Sequence, residues 1–67
     1  MITLIVNGKK ETFDGSLRLL DLLRGRDLEH RRVAIGYNGD VVHREHWNEI
    51  TLNDGDVVDI VQMVGGG

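Results

Sequence analysis

Few side chains in this 67-residue chain have the type and spacing to do chemistry. The chain contains no cysteine, so a thiolate nucleophile, a thiolate zinc site and a cysteine persulfide are all excluded. No glycine-rich phosphate loop links a strand to a helix, and no acid pair comes with a supporting histidine. His43, His46 and Glu49, spaced by three, would share a face of one helical turn. Histidines beside carboxylates are common on surfaces, and we expect no metal there. What remains is the stretch Val64-Gly65-Gly66-Gly67. An α-carboxylate on Gly67 has a reference pKa of about 3.3 to 3.7, so it is ionised at neutral pH and is a poor electrophile until activated. Its attack on the α-phosphate of a nucleoside triphosphate gives an acyl adenylate, whose carbonyl accepts a thiol or sulfide. Glycines suit that role: a thread of Val64, Gly65 and Gly66 enters a narrow active site, and nothing shields the carbonyl. A partner enzyme must then supply Mg²⁺, nucleotide and electrostatic stabilisation, because the chain offers no catalytic residue of its own. The same four residues also fit an ordinary frayed terminus.

The elements that must position this thread can be read in order. Ile2, Leu4 and Val6 alternate with Thr3 and Ile5, the period of a half-buried strand. Asn7-Gly8 predicts a tight hairpin turn into a polar second strand from Lys9 to Phe13. Ser16 reads as the N-cap of a helix over 17–24, stopped by Gly25, with a leucine stripe on one side and Arg18, Asp21 and Arg24 on the other. Val33–Tyr37 predicts a third strand, bent at Gly36, and Asn38-Gly39 a second hairpin turn into Asp40–Val42. Residues 43–48 read as a turn or one helical turn, with Trp47 and Tyr37 covering the core, and 49–52 as a brief extended piece. Asn53-Asp54-Gly55-Asp56 then launches a long β-branched strand that runs straight into the thread. The expected architecture is α+β, one domain over 1–64 with a mixed four- to five-stranded sheet under one main helix, followed by a flexible tail at 65–67. Alternation in the last strand puts Val58 and Ile60 toward the helix and Val57, Val61 and Met63 on the uncovered face, where we expect a partner surface.

A formal net charge of −3 argues against binding a phosphate backbone, so no nucleic-acid partner is expected. Arginines 24, 26, 31 and 32 cluster mid-chain, whereas Asp40, Glu45, Glu49, Asp54, Asp56 and Asp59 make the C-terminal half acidic. An acidic half next to the tail would steer docking onto a basic partner. There is no run of membrane-spanning length and no basic, apolar leader at Met1, so the expectation is a cytoplasmic protein with no membrane partner.

Several of these stretches together resemble a known family. Val6-Asn7-Gly8, the leucine helix after Ser16, Asn38-Gly39-Asp40-Val41-Val42 with Arg44 and Trp47, the run from Leu52 to Val61, and the terminal Val64-Gly65-Gly66-Gly67 are similar to the ThiS sulfur carriers of thiamin thiazole synthesis. The similarity spans essentially the whole chain. It implies a ubiquitin-like β-grasp fold, adenylation of Gly67 by an E1-like adenylyltransferase using MgATP, and conversion of Gly67 to a thiocarboxylate. It also implies a sulfur donor such as a cysteine desulfurase, and delivery of the sulfur to a thiazole synthase. No cofactor is implied on the chain itself. Two residues depart from the family pattern: His43 stands where proline is frequent, and Gly36 lies inside a strand. Two other outcomes share the adenylate: a carrier serving molybdopterin or another sulfur-containing product, and a protein modifier joined to a lysine. A plain interaction module would use the glycines for nothing.

Overall fold

The computed structural model describes residues 1–63; Val64, Gly65, Gly66 and Gly67, and with them the expected boundary between domain and tail, lie outside the described residues. The alternating residues at the N-terminus form strand β1 (Ile2–Val6), with Ile2, Leu4 and Val6 buried. Asn7 at φ 51° and Gly8 at φ 79° make the left-handed pair that a two-residue hairpin turn requires. The chain returns as β2 (Lys9–Phe13), antiparallel to β1 with Ile2 opposite Phe13.

The next segment departs from expectation. Leu17 and Arg18 are not the start of the helix but a two-residue strand, β3 (Leu17–Arg18), and the helix α1 (Leu19–Gly25) begins two residues late. Long-range pairing wins over the local cap at Ser16. Leu17 and Arg18 pair antiparallel with β6 (Thr51–Leu52), and Leu19 N–H donates to the Ile50 carbonyl at 2.9 Å. Asp21 takes the capping role, its carboxylate accepting from Arg18 N–H at 3.2 Å near the helix N-terminus. At the other end Gly25 belongs to the helix, and the left-handed residue that turns the chain is Asp27 at φ 58°.

Strands β4 (Val33–Tyr37) and β5 (Asp40–Val42) form the second hairpin, again with left-handed turn residues, Asn38 at φ 49° and Gly39 at φ 93°. A 3-10 turn (Arg44–Glu49) carries Trp47 into the core, where it is 2% exposed and its Nε1 donates to the Val42 carbonyl at 3.3 Å. The last strand, β7 (Val57–Gln62), lies in the middle of a five-stranded sheet of order β2-β1-β7-β4-β5, parallel to β1 and antiparallel to β4. Register with β4 runs unbroken through Gly36, which sits opposite Asp59, so the expected bend there is absent. One side of the sheet carries Leu4, Val6, Ile35 and Val58 against Leu19, Leu22, Leu23, Leu52 and Trp47, and these apolar side chains are the core. This α+β arrangement, a mixed five-stranded sheet gripping one main helix, is a β-grasp.

Candidate functional site

Strand β7 leads, through Met63, to residues 64–67. Its backbone is held from both sides by the two hairpin asparagines. Asn7 Oδ1 accepts from Ile60 N–H at 2.6 Å, extending the β1 side of the ladder past the end of that strand. Asn38 Oδ1 accepts from Val57 N–H at 2.8 Å on the β4 side. A residue that tolerates φ > 0 and also carries a short acceptor is what each position needs, which is why asparagine stands at both.

At the start of β7, Asp56 gathers three donors: Tyr37 Oη at 2.6 Å, Asn53 N–H at 2.9 Å and Asn38 Nδ2 at 3.3 Å. Burial by itself pushes the Asp56 carboxyl up, but the hydrogen bonds from Tyr37, Asn53 and Asn38 outweigh it and hold the group below its ordinary value. The bond to Asp56, then burial and the nearby negative charge, push the Tyr37 phenol up. Thr3 N–H adds a bond to Asp54 Oδ1 at 2.7 Å, so this end of the sheet is acidic and tightly bonded.

The opposite end of β7 has the other sign. Met63 N–H donates to the Arg32 carbonyl at 2.9 Å, which places the loop of Arg31 and Arg32 beside the last described residue. Arg44 holds that loop: one guanidinium nitrogen donates to the Glu29 carbonyl and the other to the Arg31 carbonyl at 2.5 Å, while the guanidinium lies 4.5 Å from the centre of the Trp47 ring. Thus the acidic residues Asp40, Asp54 and Asp56 do not flank the root of residues 64–67, as the charge distribution along the sequence suggests. Arginines do, because the chain folds β4 alongside β7 and brings residue 32 to residue 63.

The sheet face away from the helix carries the residues expected to meet a partner. Val61 is 59% exposed and Met63 56%, with Val57 half-buried opposite Ile5. Val41, on β5, adds 74% exposure to the same face, since it pairs with Gly36. Between these valines the exposed Asp59 side chain lies over Gly36, its partner on β4, so the face is apolar with one carboxylate in it. The sequence alone did not single out Val41; its place opposite Gly36 emerges only from the β4–β5 register.

On the helix side, a cleft of about 270 Å³ opens between β2 and α1 over Phe13, Leu17 and Leu22, bridged by an ion pair of Arg26 with Glu11. It holds no convergent set of catalytic groups. His46 Nδ1 lies 3.2 Å from Glu49 Oε2, and among the described residues no three metal-ligating side chains converge. Nor, among them, is any helix long and apolar enough to cross a membrane.

Residues 4–67 match the ThiS family. The sulfur carrier protein ThiS of Bacillus subtilis is 39% identical over 62 residues, covering 92% of this chain and 88% of its own. A thiazole synthase of Paramagnetospirillum magneticum is 33% identical over 64 residues; the match takes in 96% of this chain but only 20% of that longer protein. The crystal structure of the thiamine biosynthesis protein ThiS of Geobacter metallireducens superposes with a TM-score of 0.83 at 38% identity, over 98% of this chain and all of that one. With the β-grasp and the Asn-Gly turns on either side of its last strand, these likenesses place the chain in the ThiS family.

Proposed function

We propose that this chain carries sulfur for thiazole formation in thiamin biosynthesis, with the carboxylate of Gly67 as the carrying group. The observation that supports the reading is the position of β7: a central strand bonded on both edges runs directly into Val64-Gly65-Gly66-Gly67, within a family match that continues to residue 67. An E1-like adenylyltransferase using MgATP activates the carboxylate. A carboxylate oxygen bonds to the α-phosphorus and pyrophosphate departs; persulfide sulfur from a cysteine desulfurase or similar donor, brought to the hydrosulfide level by two electrons from thiols that end as a disulfide, then attacks the carbonyl and AMP departs. The thiocarboxylate passes its sulfur to a thiazole synthase. Support for that acceptor is the thiazole synthase whose sequence includes a segment 33% identical to nearly all of this chain. The chain is a cosubstrate in the cytoplasm rather than an enzyme: its polar clusters tie turns and strands together, and it binds no cofactor of its own. Residues 1–64 form the domain that partners recognise, through Val57, Val61 and Met63, and residues 65–67 are the thread that enters their active sites.

Intact-mass analysis after incubation with MgATP, the cognate adenylating enzyme and a sulfur source tests this directly. The expected result is a gain equal to one oxygen-to-sulfur exchange, localised to Gly67 and lost when Gly67 is deleted. Conjugation to lysines of larger proteins would favour a modifier instead, and an unchanged mass with an active enzyme would refute both.

A further inference from the structure

The loop beside the root of residues 64–67 is both charged and built. Arg31 and Arg32 are exposed, and neither forms an ion pair among the described residues, whereas Arg24 and Arg26 are paired with Glu29 and Glu11. This is a local positive site on a chain whose formal net charge is −3. The loop is not left to float: Arg44 bonds the carbonyls of Glu29 and Arg31 while stacked on the buried Trp47, and Arg32 accepts from Met63 N–H. The acidic residues Asp40, Asp54 and Asp56 gather at the far end of β7, about 20 Å away for a six-residue strand.

Distance makes this placement matter. The four residues after Met63 reach at most about 14 Å even when fully extended. A protein that takes the end of the chain into its active site must therefore bring the mouth of its channel within about 14 Å of Met63, and so near Arg31 and Arg32, a span of less than two Debye lengths at about 8 Å each in physiological salt.

We propose that Arg31 and Arg32, held in place by Arg44, form a second recognition point that reads a carboxylate-lined rim around the partner channel receiving residues 64–67. It rests on the carrier reading and adds the chemistry of the surface that accepts it. The apolar sheet face gives contact area; the guanidinium pair gives orientation, so that docking brings the chain end to the channel rather than away from it. Arg44 is a positioning residue here, acting through the loop carbonyls it bonds. Its planar fork spans two carbonyls, which a lysine ammonium cannot reproduce in the same geometry.

The test is steady-state adenylation of the full chain by its E1-like enzyme, following pyrophosphate release as a function of carrier concentration, ATP concentration and salt. Wild type should show a kcat/KM that falls as salt rises. Arg31→Ala/Arg32→Ala should raise the KM for the carrier at least about tenfold at low salt, with kcat unchanged and the salt dependence flattened. Both side chains are exposed, so the melting temperature should not move. Arg44→Lys should raise the carrier KM in the same direction and reduce the protection of the Met63 amide from hydrogen exchange. An unchanged carrier KM in the double variant overturns the proposal. A rise confined to the KM for ATP also overturns it, since the pair would then be reading nucleotide phosphates. If wild type itself releases no pyrophosphate with an enzyme active on its own carrier, the carrier reading falls and this inference with it.

Discussion

Met63 and Val58 lie five residues apart on the C-terminal stretch but on opposite faces of the sheet, and substituting each should separate docking from folding. Val58 is fully buried under the helix, so Val58→Ala deletes two methyl groups from a closed core. The transfer loss is about 1.6 kcal/mol at 0.8 per carbon, and the residual cavity raises the cost to about 2–3 kcal/mol. In a domain of this size that lowers the melting temperature by roughly 8–24 °C. Met63 is 56% exposed, so Met63→Asp should cost folding no more than about 0.5 kcal/mol. Docking is another matter. Full burial of a methionine is worth about 1.5–3 kcal/mol, and the 56% still open to a partner corresponds to about 0.8–1.7 kcal/mol. That is about a 4- to 17-fold rise in the carrier KM, before any cost of desolvating the new carboxylate. Thermal melts paired with adenylation kinetics read both quantities on the same samples. The reasoning is refuted if Met63→Asp unfolds the domain, or if it leaves the carrier KM unchanged while Val58→Ala melts as expected.

The turn asparagines and the Asp56 cluster supply further tests. Asn38→Ala keeps a Cβ at φ 49° but loses both the polar side chain that makes this conformation tolerable and the acceptor for Val57 N–H, a combined loss of about 1.5–3.5 kcal/mol, whereas Asn38→Gly loses only the hydrogen bonding, about 0.5–1.5 kcal/mol. Urea titration should rank wild type above Asn38→Gly above Asn38→Ala; equal midpoints for the two variants would show that backbone conformation is not what selects asparagine there. For pH, the lowered carboxyl of Asp56 contributes fully above its unfolded pKa of about 3.9, and that contribution is lost as pH falls further, through the folded value. The raised phenol of Tyr37 contributes fully below about pH 10 and loses its contribution as pH climbs through the folded value. Melting curves of wild type and Tyr37→Phe should therefore diverge near neutrality and converge above pH 10; a constant gap at alkaline pH would contradict the Tyr37–Asp56 bond.

Local signals made much of the fold legible. The period of Ile2–Val6, the β-branched run of β7 and the two Asn-Gly turns each state their structure within a few residues, because alternation and positive φ are local properties. Where local and distant preferences competed, the sequence misled. Ser16 is a good cap, yet Leu17 and Arg18 gain more by pairing with Thr51 and Leu52, more than 30 residues away in the chain. Gly36 looked like a place to bend, but a glycine opposite Asp59 is simply a small residue on an open face. The site divides in the same way. Val61 and Met63 could be assigned a face from alternation alone, while the meeting of Arg32 with Met63 and the grip of Arg44 on Glu29 and Arg31 depend on contacts across the sheet and have no sequence period to announce them.

The central position of β7 also has a mechanical consequence. A partner that draws residues 64–67 into a channel pulls along the axis of this strand. The pull then loads the ladders to β1 and β4 in shear, with the Asn7 and Asn38 side-chain bonds sharing the strain on either side. Many hydrogen bonds must fail together under such a pull, and a central strand has two ladders to share the load where an edge strand has one. The carrier can therefore be tugged into and out of successive active sites by its end without that tension unravelling the domain behind it.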